Sequence, residues 1–246
     1  MSEPSLAVIV PAYNESVRLP KTLARLHEYL SDQTYPWSVV VISDGSTDDT
    51  PRIVNDFGIK HPQFTLIDSQ PNRGKGFVIR RAMLEVDADL LLFSDADLAA
   101  PIEEIEKLLP KIREGYEIAI GSRPLRESRL EIRQPKYREY AGRAFNQVVQ
   151  MLAIRGIQDT QCGFKVFTKP VARDVFARCT LDGFSYDFEA LMIARDLGYK
   201  IAEVPIRWAH QEGSKVRFLR DGSRMLLDLV RLRLKGRKGR LEGRAS

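Results

Sequence analysis

Short apolar runs alternate with stretches whose apolar residues recur every three to four positions, and this alternation repeats about five times in the first half of the chain. Residues 6–10 (Leu-Ala-Val-Ile-Val) form a run with no polar face to leave in water, which reads as a buried strand. A helical pattern follows to about Leu30, with Leu19, Leu23, Leu26 and Leu30 on one face. Further strands are predicted at 37–42, 64–67 (the weakest), 88–93 and 118–120, and helices after Asp49, from about Phe77, and from Pro101. Ser46 and Asp49 have the spacing of a capping box for the second helix. Strands alternating with helices predict an α/β fold, a single Rossmann-like domain whose mainly parallel sheet is flanked by helices on both faces.

The second half is less regular. Residues 146–154 read as an apolar helix, and the polar cluster 158–165 leads into a short strand. A helix opens at Tyr186, where Asp187 and Glu189 are either dipole partners of its first turn or site carboxylates, Glu189 fitting the dipole role better. A strand at 200–206 is followed by loops carrying Arg207-Trp208 and Gly213-Ser214-Lys215. Residues 218–235 form a helix with one polar stripe, Arg220, Arg224, Asp228, Arg231 and Lys235. Its broad apolar face either packs on the domain or lies in a membrane interface.

The candidate chemistry sits where strands end. Asp95 and Asp97 follow a buried strand directly, and ligands of open α/β sheets bind at that edge. Two hard oxygen donors in one loop suit Mg²⁺ or Mn²⁺, and the alternative is a turn stabilised by aspartate. Asn14 with Glu15, Asp44, and Ser122 with Arg123 end three other strands, so a parallel sheet would line all four loops along one edge. Gly74-Lys75-Gly76 either lets backbone N–H groups approach a phosphate or eases entry into a helix. Neither a P-loop nor a G-x-G-x-x-G sequence is present. The arginines from 123 to 143 (Arg123, Arg126, Arg129, Arg133, Arg138, Arg143) form either a solvated face or a lid over a phosphate.

Composition narrows the classes. With 246 residues, 43% hydrophobic and 29% charged, the chain can bury one large core. Cys162 and Cys179 make no C-x-x-C pair, so a disulfide framework or structural zinc site is not expected. The N-terminus lacks a signal-peptide pattern and no apolar run approaches the ~18 residues of a spanning helix, so a soluble or surface-bound protein is expected. Residues 231–246 hold seven Lys or Arg and one Glu, against a net charge of +5 for the whole chain. That tail follows an apolar helix and not an aromatic-studded sheet, which favours a lipid surface over nucleic acid.

The motifs resemble a known family. Val10-Pro11-Ala12-Tyr13-Asn14-Glu15, Ser43-Asp44-Gly45-Ser46-Thr47-Asp48-Asp49-Thr50, Asn72-Arg73-Gly74-Lys75-Gly76 and Asp95-Ala96-Asp97, in this order, resemble the family 2 glycosyltransferases of the GT-A fold. Asp159-Thr160-Gln161-Cys162-Gly163-Phe164-Lys165, Glu203-Val204-Pro205-Ile206-Arg207-Trp208 and Glu212-Gly213-Ser214-Lys215 resemble the dolichyl-phosphate β-glucosyltransferases among them, with the dolichyl-phosphate mannose synthases as close cousins.

The resemblance implies a role for each match. Pro11, Ala12, Tyr13, Asn14, Glu15, Asp44 and Gly45 would hold the nucleoside; Lys75, Asp95 and Ala96 would lie along the base, ribose and diphosphate. Asp97, with Asp95, would ligate Mg²⁺ or Mn²⁺. Arg123, Arg133, Lys165 and Lys215 would meet the acceptor phosphate, and Asp159 would orient acceptor or sugar. It implies an inverting transfer of a hexose, glucose from UDP-glucose, to a polyprenyl phosphate. The acceptor phosphate, ionised at neutral pH, would need no strong base, which agrees with a chain whose only histidines are His27, His61 and His210. GDP-mannose as donor, a soluble acceptor, or a non-catalytic nucleotide-sugar module are the alternatives. Residues 1–217 would form the catalytic domain and 218–246 a helix and basic tail, placing the protein peripherally on the cytoplasmic face of a membrane.

Overall fold

The computed structural model of the chain describes residues 3–132, 147, 154, 156–211 and 218–242, with side chains of the last helix from 221 to 234. Among the described residues a seven-stranded sheet runs in the order β3-β2-β1-β4-β7-β5-β8. The strands are β1 (Leu6–Ala12), β2 (Trp37–Asp44), β3 (Phe64–Ser69), β4 (Leu90–Ser94), β5 (Ile118–Ser122), β7 (Phe164–Thr168) and β8 (Ile201–Pro205). A separate pair joins β6 (Arg129–Ile132) to β9 (Arg207–Ala209). Between them lie α1 (Leu19–Ser31), α2 (Thr50–Lys60), α3 (Lys75–Glu85), α4 (Ile105–Arg113), α5 (Lys169–Phe176), α6 (Tyr186–Asp196) and α7 (Phe218–Glu242).

The apolar run of β1 is buried on both faces. Ala7 and Ile9 enter one core layer with α3, α5 and α6, while Leu6, Val8 and Val10 enter the other with α1 and α4. Such two-sided burial explains why the run shows no alternation. Val8 lies beside Val39 of β2 and Leu92 of β4, both in parallel register. The four leucines of α1, Leu19, Leu23, Leu26 and Leu30, are fully buried, and Pro20 opens that helix where its missing N–H does no harm.

β7 breaks the parallel pattern. It runs antiparallel between β4 and β5, with Leu91 opposite Phe167 and Ala119 opposite Val166. The carboxyl ends of β1, β2, β4 and β5 therefore still share one edge. The loop that leads into β7 reaches the same edge from the opposite direction, because Phe164 lies opposite Ser94.

Some expectations need correction. Ser46 and Asp49 form no capping box: Asp49 makes no side-chain cap bond, and the Thr50 N–H donates instead to Asp48 at 3.0 Å. Arg207 and Trp208 are not loop residues but part of β9, paired with Arg129 and Leu130. Glu189 does stand in the first turn of α6, where the dipole reading put it, but it does more than that. It is buried and accepts from Thr180 N–H, Thr180 hydroxyl and Leu181 N–H, tying α6 to the preceding loop. The predicted helix at 146–154 and the arginines 133, 138 and 143 fall largely or wholly outside the described residues, as do Arg133 and Lys215 of the expected acceptor site.

Candidate active site

The loops after β1 and β2 are stitched together by backbone donors. Asn14, in a left-handed conformation (φ 49°), donates its N–H to Ser46 Oγ at 3.0 Å and accepts from Thr47 N–H at 2.8 Å. Glu15 N–H donates to Thr50 Oγ1 at 2.8 Å, and Ser16 N–H to Asp48 at 3.0 Å. Burial works to raise the Asp48 carboxyl, but its hydrogen bonds from Thr50 and Ser16 hold it near about 2. Tyr13 stands exposed at the tip. Asp44, buried at the end of β2, accepts from Asn72 Nδ2 (3.0 Å), Arg73 N–H (2.8 Å) and Gly74 N–H (2.9 Å). It thereby draws the Asn72–Gly74 turn against Gly45. That approach needs a glycine with φ +68°, since a Cβ at position 45 would fall 2.3 Å from Asn72 N.

The paired aspartates occupy the middle of the edge. Lys75, at the start of α3, donates to Asp95 Oδ1 at 2.5 Å. Burial opposes its charge, yet Asp95, Asp187 and Asp97 hold its pKa above the ordinary lysine value, so it stays a cation. Asp97 takes the Ala99 N–H at 3.1 Å and faces Arg18 at 3.7 Å. Burial first, and then the charge of Asp95, push its carboxyl above the usual range. A divalent cation would relieve both. Among the described residues no third His, Cys, Asp or Glu joins these two. Two carboxylates with open positions left for phosphate oxygens and water match how Mg²⁺ is held beside phosphates, so the donor set fits Mg²⁺ or Mn²⁺.

Gly163 makes this arrangement possible. Its carbonyl accepts the Asp95 N–H at 3.2 Å, and a Cβ there would lie 2.0 Å from Asp95 Oδ2. Gly163→Ala must therefore swing the Asp95 carboxylate away from Lys75. If this edge holds the UDP-sugar that the family resemblance implies, the expected result is a loss of UDP affinity of about tenfold to a hundredfold with little change in melting temperature, read by calorimetric titration beside thermal melts. Unchanged affinity would show that Asp95 does not shape the site.

The opposite wall is built on Asp159, which is fully buried. Arg123 Nε and Nη2 grip it at 2.6 and 2.8 Å, and the N–H groups of Arg123 and Gln161 complete its shell at 3.1 Å each. Burial would raise its carboxyl, but the Arg123 guanidinium and these hydrogen bonds hold it below the ordinary value. Glu203 of β8 fixes the same loop, accepting from Asp159 N–H (2.7 Å), Gln158 N–H (2.9 Å) and Ser122 hydroxyl (2.6 Å). The Arg123 guanidinium lies 5.5 Å from the Trp208 ring, a cation over an aromatic face.

The sequence pattern described as "Glycosyl transferase family 2" matches residues 7–176, which span both walls of this site. The chain belongs to that family. This glycosyltransferase is 35% identical over 248 residues to a dolichyl-phosphate beta-glucosyltransferase of Trichomonas vaginalis (ALG5C), covering 97% of this chain and 73% of that protein. It is 32% identical to the Saccharomyces cerevisiae dolichyl-phosphate beta-glucosyltransferase, covering 93% and 74%, and 32% identical to the human one, covering 94% and 75%. Its fold is that of the GT-A glycosyltransferases. Glucosyl-3-phosphoglycerate synthase of Mycobacterium tuberculosis, solved with Mn²⁺, UDP and glucosyl-3-phosphoglycerate, superposes with a TM-score of 0.72 at 18% identity, covering 94% of this chain and 80% of that one. Mannosyl-3-phosphoglycerate synthase of Rubrobacter xylanophilus gives 0.68 at 19% identity, covering 98% and 75%.

Two expected site residues of the glycosyltransferase are engaged by partners within the chain. Lys165 is not at the surface to meet a phosphate. It is buried within β7, donating to Asp187 Oδ1 and to the Cys162 carbonyl at 2.5 Å each. An unpaired lysine could not be buried there at acceptable cost, and Asp187 supplies the partner. Asp159 has both oxygens engaged by Arg123 and by backbone N–H groups, so what the structure shows it doing is fixing the position of Arg123. Three contributors lie outside the set of expected site residues. Arg18 bridges Glu15 (3.3 Å) and Asp97, Glu203 organises the Asp159 loop, and Asp187 neutralises Lys165. Glu203 was visible within a motif of the resemblance and Asp187 as a carboxylate opening its helix; Arg18 carried no local signal.

Proposed function

We propose that this glycosyltransferase moves glucose from UDP-glucose to dolichyl phosphate or a similar polyprenyl phosphate, with inversion, at the cytoplasmic face of a membrane. The observation that carries the reading is one sheet edge with two facing halves. One half presents Lys75, Asp95 and Asp97 beside two interlocked loops, suited to a nucleoside diphosphate. The other presents Arg123, rigidly aimed by Asp159 and Glu203, suited to a second phosphate. The printed names of the relatives support glucose and dolichyl phosphate, and the structural neighbour solved with UDP and Mn²⁺ supports the donor and the metal.

In this reading the Pro11–Glu15 loop, with Tyr13 at its tip, and Asp44 with Gly45 frame the base and ribose. Asp97 and Asp95 would hold Mg²⁺ or Mn²⁺, which when bound neutralises charge building on the departing diphosphate. Lys75 remains protonated and adds fixed positive charge on the same side. Arg123 draws the acceptor phosphate towards the sugar, offsetting repulsion between two anions that must meet in line. The acceptor oxygen is already ionised near neutral pH, so no residue here has to remove a proton. The lowered carboxyl of Asp159, spent on Arg123, agrees with that economy.

The test offers labelled UDP-glucose, UDP-galactose or GDP-mannose with a short polyprenyl phosphate and Mg²⁺ or Mn²⁺, followed by extraction into organic solvent. Label from UDP-glucose alone should pass into the organic phase, and chelation should abolish it. Label from GDP-mannose would replace the donor. A parallel reaction adds 3-phosphoglycerate, and label that stays aqueous on that compound would replace the lipid acceptor by a soluble one.

A further inference from the structure

Helix α7 is turned against its own polarity. Its inner side packs on the domain through Met225, Leu229 and Leu232, with Asp228 buried among them and accepting from Ser185 Oγ at 2.7 Å. Asp228 belongs to the stripe that the sequence pattern would leave in water. The outer side instead carries Leu226, Leu227, Val230 and Leu234, each between 42 and 59% exposed. Leu227, Val230 and Leu234 follow one another at three- and four-residue steps, so they form one continuous ridge. Single exposed apolar residues are ordinary, but a contiguous apolar ridge marks a surface with a partner.

We infer that this ridge is the face by which the protein lies on an anionic lipid bilayer. The flanks carry Arg224, Arg231 and Arg233, Arg231 being 72% exposed, and the sequence beyond adds Lys235, Arg237, Lys238, Arg240 and Arg244 against one Glu242. A ridge of leucines between arginines suits insertion of the apolar edge beneath headgroups whose phosphates meet the guanidinium groups. A second copy of the chain fits poorly, because two such faces would oppose arginine to arginine. Among the described residues no helix is long and apolar enough to cross a membrane, so α7 lies along the surface. Ser185, its anchor, immediately precedes Tyr186 and Asp187 of α6, and Asp187 pairs with Lys165 behind the carboxylate site. Docking α7 therefore sets this end of α6 close to the bilayer.

Flotation with phosphatidylcholine vesicles, with and without phosphatidylglycerol but free of any polyprenyl phosphate, tests this separately from the transferase reading. The protein should float with the anionic vesicles only. The combined variant Leu227→Glu, Val230→Glu, Leu234→Glu should lose at least about tenfold in vesicle affinity while keeping its UDP affinity and circular dichroism. Because those residues do not pack on the core, the fold should survive. Arg224→Gln with Arg231→Gln serves as an independent check and should weaken anionic binding alone. Flotation by the triple-glutamate variant equal to the parent would overturn the inference, as would sedimentation showing a parent dimer that this variant dissolves.

Discussion

Asp97→Asn should reduce kcat/KM for transfer by on the order of a hundredfold to a thousandfold, the loss seen when one charge-stabilising group at a reacting centre is removed. The asparagine keeps the shape and the Ala99 N–H contact but removes the charge that a divalent cation requires. The parent carboxyl is already pushed upward by burial and by Asp95, so without a cation the pair is uncomfortable. The variant should consequently melt no lower than the parent in chelator, and should lose the gain in melting temperature that Mn²⁺ with UDP confers on the parent. Initial rates across a Mn²⁺ series, beside thermal melts, give both readouts. Activity within a few-fold of the parent at saturating Mn²⁺ would mean that Asp97 does not hold the metal.

Arg123→Met should be the most destabilising single change near the site, at about 3–5 kcal/mol, because it leaves the Asp159 carboxylate buried without a counter-charge. The pH dependence distinguishes this from simple lost packing. In the parent, Asp159 titrates below its ordinary value, so its contribution is fully present above the unfolded pKa near ~3.9 and fades as pH falls through the folded value. In the variant the guanidinium is lost while the backbone N–H groups of residues 123 and 161 and the charge of Lys165 remain; burial then raises the carboxyl relative to the parent, so protonation relieves the strain as pH falls from 7 towards 5. The gap in melting temperature between parent and variant should narrow over that interval. A gap that is constant with pH would show that Arg123 matters for packing and not for charge. Transfer activity should fall as well, since the proposed reading gives Arg123 the acceptor phosphate.

These two positions also show what the sequence could and could not disclose. Asp97 was legible because its strand is an uninterrupted apolar run and because two carboxylates immediately follow it. The leucines of α1 were legible for the same reason, a period that burial enforces. Lys165 took its expected role from the resemblance, and its burial against Asp187 was hidden because that partner lies on another element. The grip of Arg123 on Asp159 was hidden, since nothing in the spacing tells that a residue 36 positions earlier takes up its oxygens. Asp228 was assigned to a solvated stripe by period alone, while Ser185 holds it inward. The antiparallel direction of β7 was equally hidden, because alternation of apolar residues is blind to strand polarity.

That reversed strand bears on how the chain comes to be folded during synthesis. Strands β1 to β4 pair with one another and can assemble as soon as they leave the ribosome. β5 cannot join them, because both of its neighbours, β7 and β8, are made later. Until residues 164–168 emerge, β4 offers a bare edge, and β5 has no register to adopt. Closing the sheet then requires inserting a late segment between two earlier ones, a non-local step of the kind that slows folding. An open apolar edge during that wait is what invites pairing with the wrong chain. The loops after β1 and β2 can thus interlock first, whereas Asp95, whose N–H donates to Gly163, and the wall that carries Arg123 are set only when the insertion is made.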